Sequence, residues 1–212
     1  MNIALIGASG FIGSALRQEL LSRGHAVTAL VSQPDKLAAA ANLRTVKVDV
    51  LDTVALTTQL HGHDAVMSAF SGHAQQDVLG YYERGIRSIV AAAREARVPR
   101  LLVVGGAGSL EVTPGVQLLD TPQFPAAYRA TAEGARLALN LLRAQDGINW
   151  TMLSPSAVIF PGERTGRFRL GGDQLLVDAQ GESRVSVQDY AAAFVDELER
   201  PAHERRRFTV GY

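Results

Sequence analysis

The residues with the clearest chemical meaning stand near the start: Gly7-Ala8-Ser9-Gly10-Phe11-Ile12-Gly13. Glycine lets a backbone turn sharply and come close to a ligand. The first N–H groups of a helix have no partner inside it, and the helix dipole adds partial positive charge there. A glycine turn that opens a helix therefore suits an anion, a pyrophosphate above all. The residues before and after fit that context. Ile3-Ala4-Leu5-Ile6 is an uninterrupted apolar run, as in a strand buried on both faces, and a helix-like sequence runs on to Arg23.

The spacing is G-x-x-G-x-x-G. On these residues the chain resembles the extended and atypical short-chain dehydrogenase/reductases. Within them it resembles the NADH-flavin reductase group, near the NmrA-like and biliverdin-reductase-B-like proteins. The resemblance runs along nearly the whole chain. It implies a Rossmann-type fold that binds NAD or NADP, with the pyrophosphate over Gly7, Ser9, Gly10, Phe11, Ile12 and Gly13.

In such a fold ligands lie beyond the carboxyl ends of the strands. The second strand ends Leu30-Val31-Ser32-Gln33. The resemblance puts a ribose-binding acid at Val31 or a phosphate-binding Arg at Ser32, and neither is present. Ser32 and Lys36 can hold a 2′-phosphate, so the reading leans to NADP; Lys36 is equally a solvated helix charge. The third strand ends Val48-Asp49-Val50, where the resemblance implies an Asp on the adenine amino group and local logic offers a helix cap. Ala69 and Phe70 end the fourth strand, where the resembled chains pass over the ribose; Phe70 is equally a core residue. Ser154, Pro155 and Ala157 end the sixth, resembling the segment along the nicotinamide amide.

Gly105-Gly106-Ala107-Gly108-Ser109 follows a buried strand, which means that another backbone or a ligand comes close. The resemblance places Gly105 and Gly106 by the nicotinamide and makes Ser109 a donor to a substrate carbonyl; a turn-stabilising hydroxyl is the other reading. The resembled acid is a Tyr with a Lys four residues on. Tyr128 stands at the right helix, but the motif reads Tyr128-Arg129-Ala130-Thr131-Ala132, without the lysine. Arg129 falls on another side of the helix. A flavin, or another ready hydride acceptor, needs no strong acid and survives this loss. Arg164, Arg167 and Arg169 can meet an anionic substrate or simply face solvent. His61-Gly62-His63 lacks an organised third ligand, so no metal is expected.

These residues must be positioned by strands and helices in alternation. Strands are expected at Ala26–Val31, Thr45–Asp49, Asp64–Phe70, Arg100–Val104 and Asn149–Leu153. Helices are expected from Pro34 through the alanines, at Thr53–Leu60, Val78–Ala96 and Ala126–Ala144. Together with the first strand this is a doubly wound α/β sheet in one domain, 1–212. Residues 155–185 form a small substrate lobe, with a hairpin of Phe168–Leu170 and Leu175–Val177 around Gly171-Gly172-Asp173. Asp189 caps a helix over Tyr190–Glu199, and Phe208–Val210 is a last strand. Glu204-Arg205-Arg206-Arg207 reads as a solvated edge.

Composition narrows the classes. The chain has 212 residues, 47% apolar and 20% charged, as in an ordinary globular domain. Its formal net charge is zero, so no nucleic acid or anionic membrane is expected as partner. There is no cysteine, which excludes thiolate catalysis and fits a reducing cytoplasm. No signal peptide or membrane span is expected. The functional expectation is an NAD(P)H-dependent reductase acting on a flavin or similar small acceptor. The alternatives are an epimerase/dehydratase-like enzyme and an NmrA-type dinucleotide sensor without turnover.

Overall fold

The computed structural model describes residues 1–212. In chain order the elements begin β1 (Asn2–Ile6), α1 (Phe11–Ser22), β2 (Ala26–Val31), β3 (Leu43–Lys47), α2 (Thr53–Leu60) and β4 (Ala65–Ser68). Next come α3 (Val78–Glu95), β5 (Leu101–Val104), the short β6 (Glu111–Thr113) and β7 (Val116–Gln117), α4 (Arg129–Arg143) and β8 (Trp150–Ser154). The chain closes with β9 (Val158–Phe160), β10 (Arg169–Gly171), β11 (Arg184–Ser186), α5 (Val187–Glu199) and β12 (Arg206–Gly211).

Eight strands form one sheet in the order β10-β12-β8-β5-β4-β1-β2-β3. Every neighbouring pair is parallel except β10 with β12. Side-chain alternation divides the apolar residues between two layers. Ile3, Leu5, Leu102, Leu153, Phe208 and Val210 meet α1 and α5 on one face. Ala4, Ile6, Leu101, Val103 and Met152 meet α2, α3 and α4 on the other. Each of these buried side chains larger than alanine contributes about 1.5–3 kcal/mol. The chain runs outward from β1 through β2 and β3, then crosses back to β4 on the other side. The crevice above β1 and β4 is therefore the topological switch point.

Four sequence expectations change. Pro34–Lys36 makes one 3-10 turn, and Leu37 is already extended at φ −106, ψ 120. The alanines that follow have helix propensity but no apolar face to bury, and an isolated short helix is marginal. The expected hairpin is absent. β10 instead completes the sheet edge, with Leu170 opposite Val210, while Leu175 N–H donates to Glu111 O at 2.9 Å. The open edge of β12 offers a longer ladder of hydrogen bonds than two short strands offer each other. The cap of α5 is Ser186, which accepts from Asp189 N–H at 3.0 Å. Asp189 is buried, and its carboxylate takes hydrogen bonds from Thr165, Gly166 and Tyr212. Lastly, Arg207 is buried within its strand, not solvated at an edge.

Ion pairs tie the lobe and α5 to α1. Glu19 is 6% exposed and accepts from Arg23 and Arg164. Arg23 reaches on to Asp196 and Glu199, both at 2.7 Å. Burial alone would raise the Glu19 pKa, but hydrogen bonds from Arg164 and Arg23 outweigh it and hold the carboxyl below its usual range. Glu197 has the same sign: burial is outweighed by His203, two backbone N–H groups and Arg100. So has Glu199, through Arg23 and His25.

A carboxylate whose pKa is lower folded than unfolded stabilises the fold above its unfolded value, about 4.3 for Glu. That stability is lost as pH falls through the folded value. The thermal midpoint should therefore decline as pH drops below about 4. Glu19→Gln should lower the midpoint at neutrality and flatten the acid decline, read by circular dichroism melts. A variant whose acid decline matches the parent's would show that Glu19 carries none of it.

Candidate functional site

Gly7 follows β1 at φ 77, a left-handed conformation that side chains resist. A Cβ on Gly7 would meet Ala69 O at 2.7 Å, and one on Gly13 would sit 2.0 Å from Gly7 O. Here backbone meets backbone, so both positions demand glycine. Gly10 is different: at φ −75 its Cβ would meet only Gly7 O, at 3.5 Å. Gly10 is the N-cap of α1, which has no side-chain cap and no acid in its first turn. The orphan N–H groups there remain for an outside acceptor. Ser9, Gly10 and Phe11 are exposed and Ile12 is half-buried, so the loop presents both polar and apolar surface.

The crevice also gathers the ends of β2 and β4. Ala69 and the Phe70 backbone lie against Gly7. The Phe70 ring turns inward, stacked on Tyr82 at 5.7 Å and edge-on to Tyr81 at 5.3 Å, so its side chain belongs to the core. Ser32 and Lys36 are exposed after β2, with the exposed carboxylate Asp35 in the same turn. Asp49 is exposed, and its Oδ1 accepts from Leu51 N–H at 2.9 Å, which organises the turn. The cap of α2 is Asp52, and Val50 is buried in the α2–α4 layer.

The glycines after β5 make room for the protein itself. A Cβ on Gly105 would meet Met152 Cγ at 2.8 Å, one on Gly106 Ala135 Cβ at 2.7 Å, and one on Gly108 Ala132 Cβ at 2.8 Å. Ser109 is 3% exposed, and its Oγ accepts from Arg207 Nη1 at 3.3 Å. That hydroxyl lies beneath the loop against a guanidinium and is not presented to a substrate carbonyl, which corrects the expectation. Ser154 is likewise buried, its Oγ 3.4 Å from Arg207 Nη1. Pro155 is buried; Ala157 is exposed, and its N–H donates to Ser183 Oγ at 3.1 Å.

Arg207 is thus the residue sequence reasoning missed. Burial lowers its pKa from the usual arginine value, opposed by its ion pair with Asp173. Strand parity held the signal: Phe208 and Val210 face the α1–α5 layer, so Arg207 and Thr209 face the other way.

Tyr128 is 64% exposed, and its hydroxyl makes no hydrogen bond. Ala132, where a lysine would stand, packs on Gly108. Arg129 Nη1 donates to Leu119 O at 3.3 Å, and its guanidinium lies over Phe124, so it does not serve the phenol. His73 was also missed. It follows β4, is exposed, and its Nε2 lies 3.0 Å from Thr131 Oγ1 in the first turn of α4.

Of the lobe arginines, Arg164 is clamped to Glu19 and Arg169 donates to the carbonyls of Val177 and Tyr212. Only Arg167 keeps a guanidinium without a partner in the chain, so the three do not converge. His63 is buried with Nε2 3.1 Å from Thr28 Oγ1, and no group of three metal-ligating side chains forms.

A mostly parallel doubly wound sheet with a glycine cradle at its switch point is the geometry of dinucleotide binding. Residues 7–201 match the sequence profile of NAD(P)H-binding proteins. The chain belongs to that family. It is 42% identical to the uncharacterized protein YwnB of Bacillus subtilis (strain 168), over 99% of this chain and 98% of that one. A Bacteroides thetaiotaomicron structure described as a "putative epimerase" is 42% identical, with TM-score 0.93, covering 100% of this chain and 96% of that one. A Streptococcus pneumoniae structure described as a "putative NADH-flavin reductase" is 36% identical, with TM-score 0.90, covering 100% and 99%. These likenesses support an oxidoreductase-type NAD(P)H-binding protein. No helix is long and apolar enough to cross a membrane.

The loop geometry separates two roles of glycine. Gly10→Val should fold normally and lose most of its affinity for NADPH in titration calorimetry. Gly13→Ala should destabilise by about 1–3 kcal/mol, as overpacked positions do. A Gly10→Val protein that is folded and binds NADPH like the parent would remove the loop from the site.

Proposed function

We propose that the chain is an NAD(P)H-dependent reductase that passes hydride to a flavin or a similar small acceptor. The observation that carries this reading is Ala132, packed on Gly108 where a lysine would have to stand. Without a cation beside it, an exposed Tyr128 lacks the partner that helps a phenol give up its proton. An acceptor such as oxidised flavin takes hydride and then a proton from water, so it makes no such demand. An epimerase, which must move protons on and off carbon or oxygen, is disfavoured by the same vacancy. A non-catalytic dinucleotide sensor is favoured by it equally, and turnover decides between them.

In this reading Gly7–Gly13 holds the pyrophosphate, and the nicotinamide lies beyond the ends of β5 and β8, near Gly105, Gly106 and Ser154–Ala157. The cofactor supplies the hydride. The protein orients it and excludes water. Ser32 and the ammonium of Lys36 receive the 2′-phosphate, giving NADP the preference. The substrate is a small molecule bound beneath residues 155–185, in the reducing cytoplasm where NADPH is plentiful. Ser109 positions Arg207 and takes no proton.

Steady NADPH consumption with FMN present is the expected result. If every acceptor tried leaves NADPH untouched while binding persists, the sensor reading replaces this one. Tyr128→Phe should cost less than about tenfold in turnover, since at most one hydrogen bond of about 0.5–1.5 kcal/mol is lost. A dead Tyr128→Phe enzyme that still binds NADPH would restore carbonyl chemistry.

Ser32→Arg offers a charged fork to the 2′-phosphate, worth about 1.5–3 kcal/mol. It should tighten NADPH about tenfold or more and leave NADH nearly unchanged. Equal changes for both cofactors would show that Ser32 does not face the ribose.

A further inference from the structure

At the far end of the sheet from the glycine loop, four arginines line a pocket of about 410 Å³. Arg143 comes from the last turn of α4, Arg205 from the turn before β12, and Arg206 and Arg207 from the start of β12. Only one lining residue, Asp173, is acidic, and it pairs with both Arg207 and Arg143. Glu204 accepts from Asn149 at 2.7 Å and leaves its arginine neighbours without it. Glu111 acts on Arg207 as well, from outside the lining. Arg205 and Arg206 are exposed and enter no ion pair. The lining thus keeps a local excess of positive charge in a chain whose formal net charge is zero.

The pocket is also held in shape. Arg205 has φ 52, unusual for a residue with a side chain, and its N–H donates to Trp150 O at 2.6 Å. Such outliers persist only where the surroundings fix them, and here the bend keeps consecutive arginines at the rim. The His203 ring is stacked on Phe208 at 4.2 Å, and its Nδ1 lies 2.8 Å from Glu197. Gly172 leaves open space where a side chain would be, and the N–H groups of Gly172 and Asp173 have no acceptor in the chain.

We propose that this pocket binds a phosphorylated small molecule, at a site separate from the dinucleotide. Guanidinium forks match phosphate oxygens in pairs, and free backbone N–H groups add donors. The volume has room for a phosphate with an organic body attached. The charge is gathered in one concavity and not spread along a face, so a nucleic acid backbone finds no track to follow.

Inorganic pyrophosphate is the probe, titrated calorimetrically at low salt into the parent, into Arg205→Ser/Arg206→Ser and into Gly10→Val. Both arginines are exposed, so the double variant should melt like the parent. The parent should show saturable binding that the double variant weakens at least tenfold and Gly10→Val retains. Binding unchanged in the double variant, or none in the parent, overturns the proposal. Binding lost in Gly10→Val alone assigns the anion to the glycine loop and overturns it too. NADPH affinity, read in parallel, tests the dinucleotide site independently and should be unaltered by the arginine changes.

Discussion

The fold depends first on a close approach between two pieces of backbone. Helix α1 can start where it does only because Gly13 has no side chain to strike the carbonyl of Gly7, which would lie 2.0 Å from a Cβ. Gly7 in turn must pass the carbonyl of Ala69 at the end of β4. The loop is therefore pressed between the helix it opens and a neighbouring strand. Its N–H groups are brought to the switch point of the sheet with no side chain to satisfy them. The same constraint that permits the packing leaves the donors free for an anion.

Much of this was legible in the sequence because the signals are local. The apolar runs, the glycine spacing and the helical period of α3 each show within one segment, and the sheet follows from their alternation. What escaped depends on partners distant in the chain. Arg207 sits in a charge run that reads as solvent-facing until β8, the loop after β5 and Asp173 are folded around it. Ser109 looks like a reactive hydroxyl for the same reason: nothing nearby in sequence says that an arginine almost a hundred positions on will cover it. The alanines after Pro34 failed the other way. They have propensity but no face to bury, and propensity alone does not make a helix.

The lobe shows how a segment poor in apolar residues is ordered. Between Phe160 and Phe168 the chain has little to bury, so it is held by polar anchors placed in the main body. The buried carboxylate of Asp189 collects Thr165 and Gly166, and Glu19 holds Arg164. Both acids sit on helices of the same layer. The lobe's geometry is thereby referred to α1, the helix that begins at the glycine loop, and the two halves of the crevice share a common foundation.

The sheet's two edges have a consequence for the molecule at high concentration. An edge strand is a row of unpaired backbone groups on which another chain can crystallise as a further strand. At one edge β3 displays Arg44 and Lys47 to solvent. At the other, β10 is three residues long and runs antiparallel to its one neighbour, β12, and Arg169 closes its flank by gripping two carbonyls. Neither margin is long, flat and neutral, so the native state is a poor seed for ribbon-like assemblies. Fibrous aggregation should have to begin from unfolded chains.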